Sequence, residues 1–129
     1  MVVGLGVDVF EVGRVEERLR EDDPAFLQQV FTPDEIADCD RQPRPAAHYA
    51  ARFAAKEAVL KALAPAVQGE VPLVWRDIHV RRQHDGRHDV VLHGTVRALA
   101  LHRGVTRILL SVTLARGLAM ASVVLEAQA

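Results

Sequence analysis

The chain has a single cysteine, Cys39, among 129 residues. No disulfide can form within it, and no zinc-type spacing of cysteines and histidines surrounds that thiol. An ordinary thiol in a reducing compartment is the expectation. Aromatic residues are equally scarce at 5%, with one Trp and one Tyr, so a core must be built from aliphatic side chains and alanine. An excess of one charge is also missing. Sixteen Lys and Arg against 17 Asp and Glu give a formal net charge of −1, which removes broad attraction to nucleic acid. No apolar run approaches the roughly 20 residues needed to span a bilayer. The opening "MVVGLGVDVFEVGR" has neither a basic leader nor a small-residue cleavage site. A cytoplasmic protein with no membrane and no nucleic-acid partner is therefore expected. No repeat, biased tract or linker divides the sequence, so residues 1–129 read as one domain.

What is present is enough for a real core: half the residues are apolar and 26% are charged. "VVGLGVDVF" reads as a buried strand. An amphipathic helix follows, with Val12, Val15 and Leu19 at helical spacing. Asp23-Pro24 has the form of an N-cap followed by proline at the first helical position. "TPDE" repeats that logic as a capping box, with Thr32 as the cap and Glu35 closing it. The two prolines of "RQPRPA" mark a loop, and a long alanine-rich helix is predicted from about Ala46 to Ala64, ending before Pro65. "VWRDIHVRR" and "DVVLH" read as strands joined by the Asp-Gly turn of "HDGR". "TVRALALHRG" is a short helix ending at Gly104. "RILLSVTLA" and "LAMASVVLE" are two more strands joined around Arg116-Gly117. The order is one N-terminal strand, helices, then ββαββ, an α+β domain with an antiparallel sheet.

The long helix is unusual because it has no face that belongs in water. At about 100° per residue, Tyr49, Phe53, Val59, Leu60 and Leu63 share one broad arc, and Arg52 and Lys56 fall inside it. Glu57 and Lys61 lie at its edge. The remaining arc is Ala51, Ala54, Ala55, Ala58 and Ala62, which suits close packing on another element. A helix of this kind is buried, and charges on it need partners. Glu57 and Lys61 are four apart in the favourable order for pairing, whereas Arg52 and Lys56, also four apart, repel unless an anion lies between them. Snorkelling side chains and a decorative Glu–Lys pair would give the same pattern.

Asp8 adds weight to a functional reading. It stands in "GLGVDVF" among apolar residues and glycines, where an unpaired carboxylate is costly. It could cap the next helix. It could also share a hard metal such as Mg²⁺ with Glu57, since that ion takes one or two protein carboxylates together with substrate phosphates. A strand carboxylate, a helix carboxylate and three nearby cations suggest phosphoryl-group chemistry.

"GLGVDVFEVGRVEERL" and "RFAAKEAVLKAL" resemble the two signatures of the holo-acyl-carrier-protein synthase family, the small 4′-phosphopantetheinyl transferases. The matching residues are Gly6-Val7-Asp8, Glu11 to Arg14, and Phe53 through Lys56, Glu57, Ala58 and Lys61. The order of strands and helix in the second half resembles the family as well. The resemblance implies a 4′-phosphopantetheinyl transferase-like fold. It also implies transfer of the phosphopantetheine arm of coenzyme A to a serine of an acyl carrier protein, releasing adenosine 3′,5′-bisphosphate, as a step of lipid metabolism in fatty-acid or polyketide-type synthesis. Asp8 and Glu57 would then hold Mg²⁺, and Lys61 would neutralise or protonate the leaving phosphate. Arg52 and Lys56 would contact coenzyme A phosphates, and Ser111 and Thr113 would line the nucleotide pocket. The serine proton would pass to Glu57 or to metal-bound water. A homotrimer with sites between subunits is implied too, and Arg14 and Arg18 would meet the acidic carrier.

Two stretches depart from the family pattern. Ala64-Pro65 stands where a glycine-bearing turn is usual, and Leu114 stands where a histidine is usual, after Ser111-Val112-Thr113. A leucine donates no hydrogen bond to phosphate, and Arg116 is a candidate substitute cation. A second reading therefore stands beside the first: a catalytically weak or inactive relative that acts as a binding or assembly subunit. "GLGVDV" lacks the third glycine of a dinucleotide fingerprint. His79, His84, His88 and His93 read as solvated residues around a hairpin rather than as a second metal site, and Trp75 reads as core or interface packing.

Overall fold

The computed structural model describes residues 1–63 and 75–128. Strand β1 (Val2–Glu11) runs directly into helix α1 (Val12–Arg20), and two short helices follow, α2 (Pro24–Val30) and α3 (Pro33–Asp40). Their starts are fixed by the side chains that the sequence singled out. Asp23 accepts from the Ala25 amide, while Thr32 accepts from the Glu35 amide and the Glu35 carboxylate accepts from the Thr32 amide. Helix α4 (Pro45–Leu63) is the spine of the molecule. A short 3₁₀ turn (Trp75–Asp77) leads into β2 (Ile78–Arg82) and β3 (His88–Leu92), then α5 (Gly94–His102), β4 (Val105–Ala115) and β5 (Leu118–Ala127). Ala64 and Pro65 lie outside the described residues.

Among the described residues, five strands form two antiparallel sheets rather than one. The first has the order β1-β5-β4, so the N-terminal strand pairs with the last one; the second is the β2-β3 hairpin. The β4-β5 connection is a two-residue turn, Arg116-Gly117, with φ of 53° and 75°. Consecutive left-handed residues suit the twist of a tight hairpin.

Helix α4 packs on the β1-β5-β4 sheet through its alanine face. Ala54, Ala55 and Ala58 are fully buried, and Ala51 and Ala62 nearly so. The close approach depends on two glycines of β1. A Cβ on Gly6 would lie 2.0 Å from the carbonyl oxygen of Ala58, and one on Gly4 would lie 2.6 Å from that of Ala62. These glycines therefore serve helix–strand contact. Tyr49, Val59 and Leu63 of α4 join Phe31, Ile78, Val80, Val96, Val123 and Leu125 in one core. Each such side chain contributes about 1.5–3 kcal/mol on burial.

The expectation that β1 is buried holds for one face only. The face toward α4 is covered, but Leu5, Val7 and Val9 alternate onto the other face and are exposed, together with Leu109 and Met120. The reason is architectural: the helices pack on one side of the three-stranded sheet, and no described element covers the other.

Candidate active site

Register and helix phase bring three ionisable side chains together at one edge of the β1–α4 contact. Asp8 lies two residues beyond Gly6, on the α4 side of β1, with its side chain 12% exposed. On α4, Phe53, Glu57, Leu60 and Lys61 form the one strip of its C-terminal half that is not buried. Lys61 reaches across to β1, where its ammonium donates to Asp8 Oδ1 at 2.7 Å and to the Val7 carbonyl at 3.2 Å. That pairing differs from the Glu57–Lys61 pair allowed by spacing alone. Glu57 has no hydrogen-bonded or ion-paired partner among the described residues. Partial burial and then the nearby Asp8 charge raise its pKa above the ordinary carboxylate value, with Lys61 opposing them. The bond to Asp8 is the main cause that raises the pKa of Lys61.

The donor set fits a hard divalent cation. Asp8 on β1 lies close enough for its charge to be felt at Glu57 on α4, and the Glu57 carboxylate has no partner among the described residues. No group of three or more His, Cys, Asp or Glu side chains that could hold a metal exists among the described residues. Two carboxylates are nevertheless what Mg²⁺ needs when phosphate oxygens and water complete its shell.

Arg52 and Lys56 lie elsewhere. Expected at coenzyme A phosphates, they are instead turned into the interior, where protein carboxylates are their anions. The Lys56 ammonium donates to Glu35 Oε1 at 2.9 Å, to the Trp75 carbonyl at 3.1 Å and to the Ile78 carbonyl at 2.5 Å. Both side chains of the Lys56–Glu35 pair are fully buried. Glu35 also accepts from the Thr32 and Val80 amides, so one carboxylate ties α3, α4 and β2 together. Desolvation lowers the pKa of Lys56, with Glu35 opposing it. Arg52 donates to Asp38, to the Val80 carbonyl and to the Cys39 sulfur. Asp38 also accepts two bonds from Arg82, and these bonds, ahead of Arg52, hold its carboxyl down at about 2. Burial pushes the Cys39 thiol up to about 12, consistent with an inert thiol.

Glu35 and Asp38 are the residues that sequence reasoning missed as ionic partners. The sequence alone shows only the capping role of Glu35. The available signal was the helical spacing of acids in "PDEIADCD" beside the apolar Ile36 and Cys39, which turns part of an acidic helix inward.

Ser111 and Thr113 occupy the sheet face opposite Asp8. The row through Asp8 contains Ala121 and Val112, whereas the row through Val7 contains Ser122 and Ser111, and Thr113 pairs with Met120. With Val7 and Met120 they line a cavity of about 290 Å³ on the exposed apolar face. Within one chain they cannot reach the Asp8–Glu57 locus. Arg14 and Arg18 are exposed on α1. The Arg14 guanidinium lies over the Phe10 ring at 5.4 Å, two residues from Asp8, and Arg18 lies over Phe26 at 4.4 Å. Trp75 completes an aromatic run, 5.3 Å from Phe53, which is 4.6 Å from Phe10. His79 and His93 lie 6.3 Å apart; Leu114 is exposed near the end of β4 and Arg116 is exposed in the β4-β5 turn.

Known proteins share both sequence and architecture with this chain. A family model described as the 4′-phosphopantetheinyl transferase superfamily matches residues 4–122. A holo-[acyl-carrier-protein] synthase of Syntrophus aciditrophicus (strain SB) is 41% identical over 126 residues, covering 98% of this chain and 97% of that protein. The solved acyl carrier protein synthase of Mycobacterium tuberculosis superposes with a TM-score of 0.76 at 33% identity, covering 99% of this chain and 100% of that one. A coenzyme A complex of the Chronobacterium ammoniagenes synthase superposes at 0.80 with 30% identity, covering 98% of each chain. The α+β architecture and the sequence likeness extend over almost the whole chain, and the chain belongs to the holo-[acyl-carrier-protein] synthase family of 4′-phosphopantetheinyl transferases.

Proposed function

We propose that the protein transfers the 4′-phosphopantetheine group of coenzyme A to a serine hydroxyl of an acyl carrier protein, with Mg²⁺ as the metal and adenosine 3′,5′-bisphosphate as the second product. The observation that carries this reading is the convergence of Asp8 and Glu57 with Lys61 at the β1–α4 edge. Asp8 and Glu57 would hold the ion, which when bound offsets pyrophosphate charge and orients it for in-line displacement. The serine oxygen forms a bond to the phosphorus that bears the pantetheine arm, and the bond from that phosphorus to the bridging oxygen breaks. The serine proton passes to Glu57 or to water at the site. Lys61 supplies positive charge to the leaving phosphate.

The exposed apolar sheet face supports a second element of the proposal, a homotrimer. A further copy on that face would cover Leu5, Val7, Val9 and Met120. It would also bring Ser111 and Thr113 of one subunit toward the site of another. Arg14 and Arg18, exposed on α1 beside the site, are the proposed contacts for the acidic carrier. A cytoplasmic location and a role in fatty-acid synthesis belong to the same reading.

The test is direct. Apo carrier protein, coenzyme A and MgCl₂ are incubated with the protein and analysed by intact mass. Gain of the phosphopantetheine mass, abolished by EDTA, is expected. A folded protein that modifies none of several carriers would favour the binding-subunit reading, for which the missing histidine at Leu114 is the specific motive.

A further inference from the structure

We infer that Lys61 and the divalent cation are alternative partners of Asp8, so that the lysine is stored on Asp8 and released toward the substrate phosphate as the metal takes the carboxylate. This rests on the reading of Asp8 and Glu57 as metal ligands. Three observations carry it. The Lys61 ammonium is bound to β1 by two acceptors, Asp8 Oδ1 at 2.7 Å and the Val7 carbonyl at 3.2 Å. It takes this distant partner although Glu57 stands four residues before it in the orientation that favours pairing within a helix. Glu57 therefore faces the locus without a partner among the described residues, and one cation already sits on the other proposed ligand.

A divalent ion bonded to Asp8 would lie within a few ångströms of that ammonium, and like charges at such a distance repel strongly. The lysine is the weaker competitor. Its side chain is 52% exposed on a flexible stem, and an exposed ion pair holds its partner only loosely. Metal entry thus sends the ammonium off Asp8, and the nearest use for a freed cation at a pyrophosphate site is the leaving phosphate. The device prevents Lys61 from presenting its full charge before the metal is in place.

The experiment measures Mn²⁺ affinity without coenzyme A, by the EPR signal of the free ion, for wild type, Lys61→Met, Lys61→Arg and Asp8→Asn. Lys61→Met should bind roughly three- to fivefold more tightly than wild type, and Lys61→Arg no more tightly. Nuclear magnetic resonance of the lysine side chains supplies the second readout: the Lys61 ammonium resonance should shift as Mg²⁺ is added. Equal or weaker binding by Lys61→Met, or a resonance that stays put at saturating Mg²⁺, overturns the competition. If Asp8→Asn loses Mn²⁺ in those circumstances, the metal reading stands and only the competition fails. If Asp8→Asn binds like wild type, or no variant binds saturably, the metal reading fails and takes the inference with it. Unchanged thermal midpoints confirm that the variants are folded.

Discussion

Helix α4 carries two charged steps of the same length, Arg52 to Lys56 and Glu57 to Lys61, and their fates are opposite. The first step is sealed. Lys56 has three acceptors and Arg52 is closed off by Asp38, Val80 and Cys39, so each cation spends its hydrogen-bonding capacity inside the molecule. The second step is open. Lys61 is half exposed on Asp8, and Glu57 has no partner among the described residues. A buried pair in which every donor is met ties elements together, whereas a carboxylate left free beside another carboxylate is a place for a cation. One residue of helical rotation separates scaffold from site.

The comparison can be broken from either side. Lys56→Met leaves the Glu35 carboxylate buried beside two amides and no cation, and should cost about 3–5 kcal/mol in chemical denaturation. The double variant with Glu35→Leu should recover part of that loss, and a cost below 1 kcal/mol for the single change would contradict a sealed, fully engaged pair.

Asp8→Asn and Glu57→Gln should do the reverse, lowering transfer by about 10²–10³-fold, in the range of a lost electrostatic contact, while the unfolding midpoint moves little. Parallel loss of stability would mean that the open step is scaffold as well. Gly6→Ala joins the two halves. Its Cβ would meet the Ala58 carbonyl at 2.0 Å, so β1 must lift from α4, carrying Asp8 with it. Stability should fall by about 1–3 kcal/mol, and activity should fall in proportion to the displaced carboxylate. An alanine variant with full activity would show that the close approach is dispensable.

The smallest effect concerns pH. The Asp38 carboxyl is held at about 2, below its ordinary 3.8, so the native state releases its proton more readily than the unfolded chain. Its stabilising contribution is complete above about pH 4 and is lost as pH falls toward 2. Thermal midpoints between these values should drop less steeply in Asp38→Asn, which lacks the titrating group, than in wild type. Identical slopes would remove Asp38 from the scaffold.

The sequence disclosed what is local. The Asp23 and Thr32 caps, the Glu35 capping box and the Arg116-Gly117 turn each depend on a few adjacent residues, and each appears as read. The alanine face and Asp8 were legible as features that demanded a neighbour. What could not be read was which neighbour. Lys61 meets Asp8 across 53 positions, and Lys56 meets Glu35 across 21. Spacing along one helix cannot choose between a carboxylate four residues away and one brought in by packing. For the same reason the phosphate contacts expected of Arg52 and Lys56 gave way to interior carboxylates. The two-sheet division of the strands was likewise hidden, because alternation reports which face is apolar and not which strand lies alongside.

The central claim is that Asp8 and Glu57 share one divalent cation, and crystals soaked in Mn²⁺ and coenzyme A test it most directly through anomalous scattering. The account predicts a single peak between the two side chains, bonded to an oxygen of each, with distances of about 2.0–2.1 Å in the corresponding magnesium form. A fully occupied peak at which either carboxylate is turned away, or a metal bound elsewhere on the chain, would contradict it.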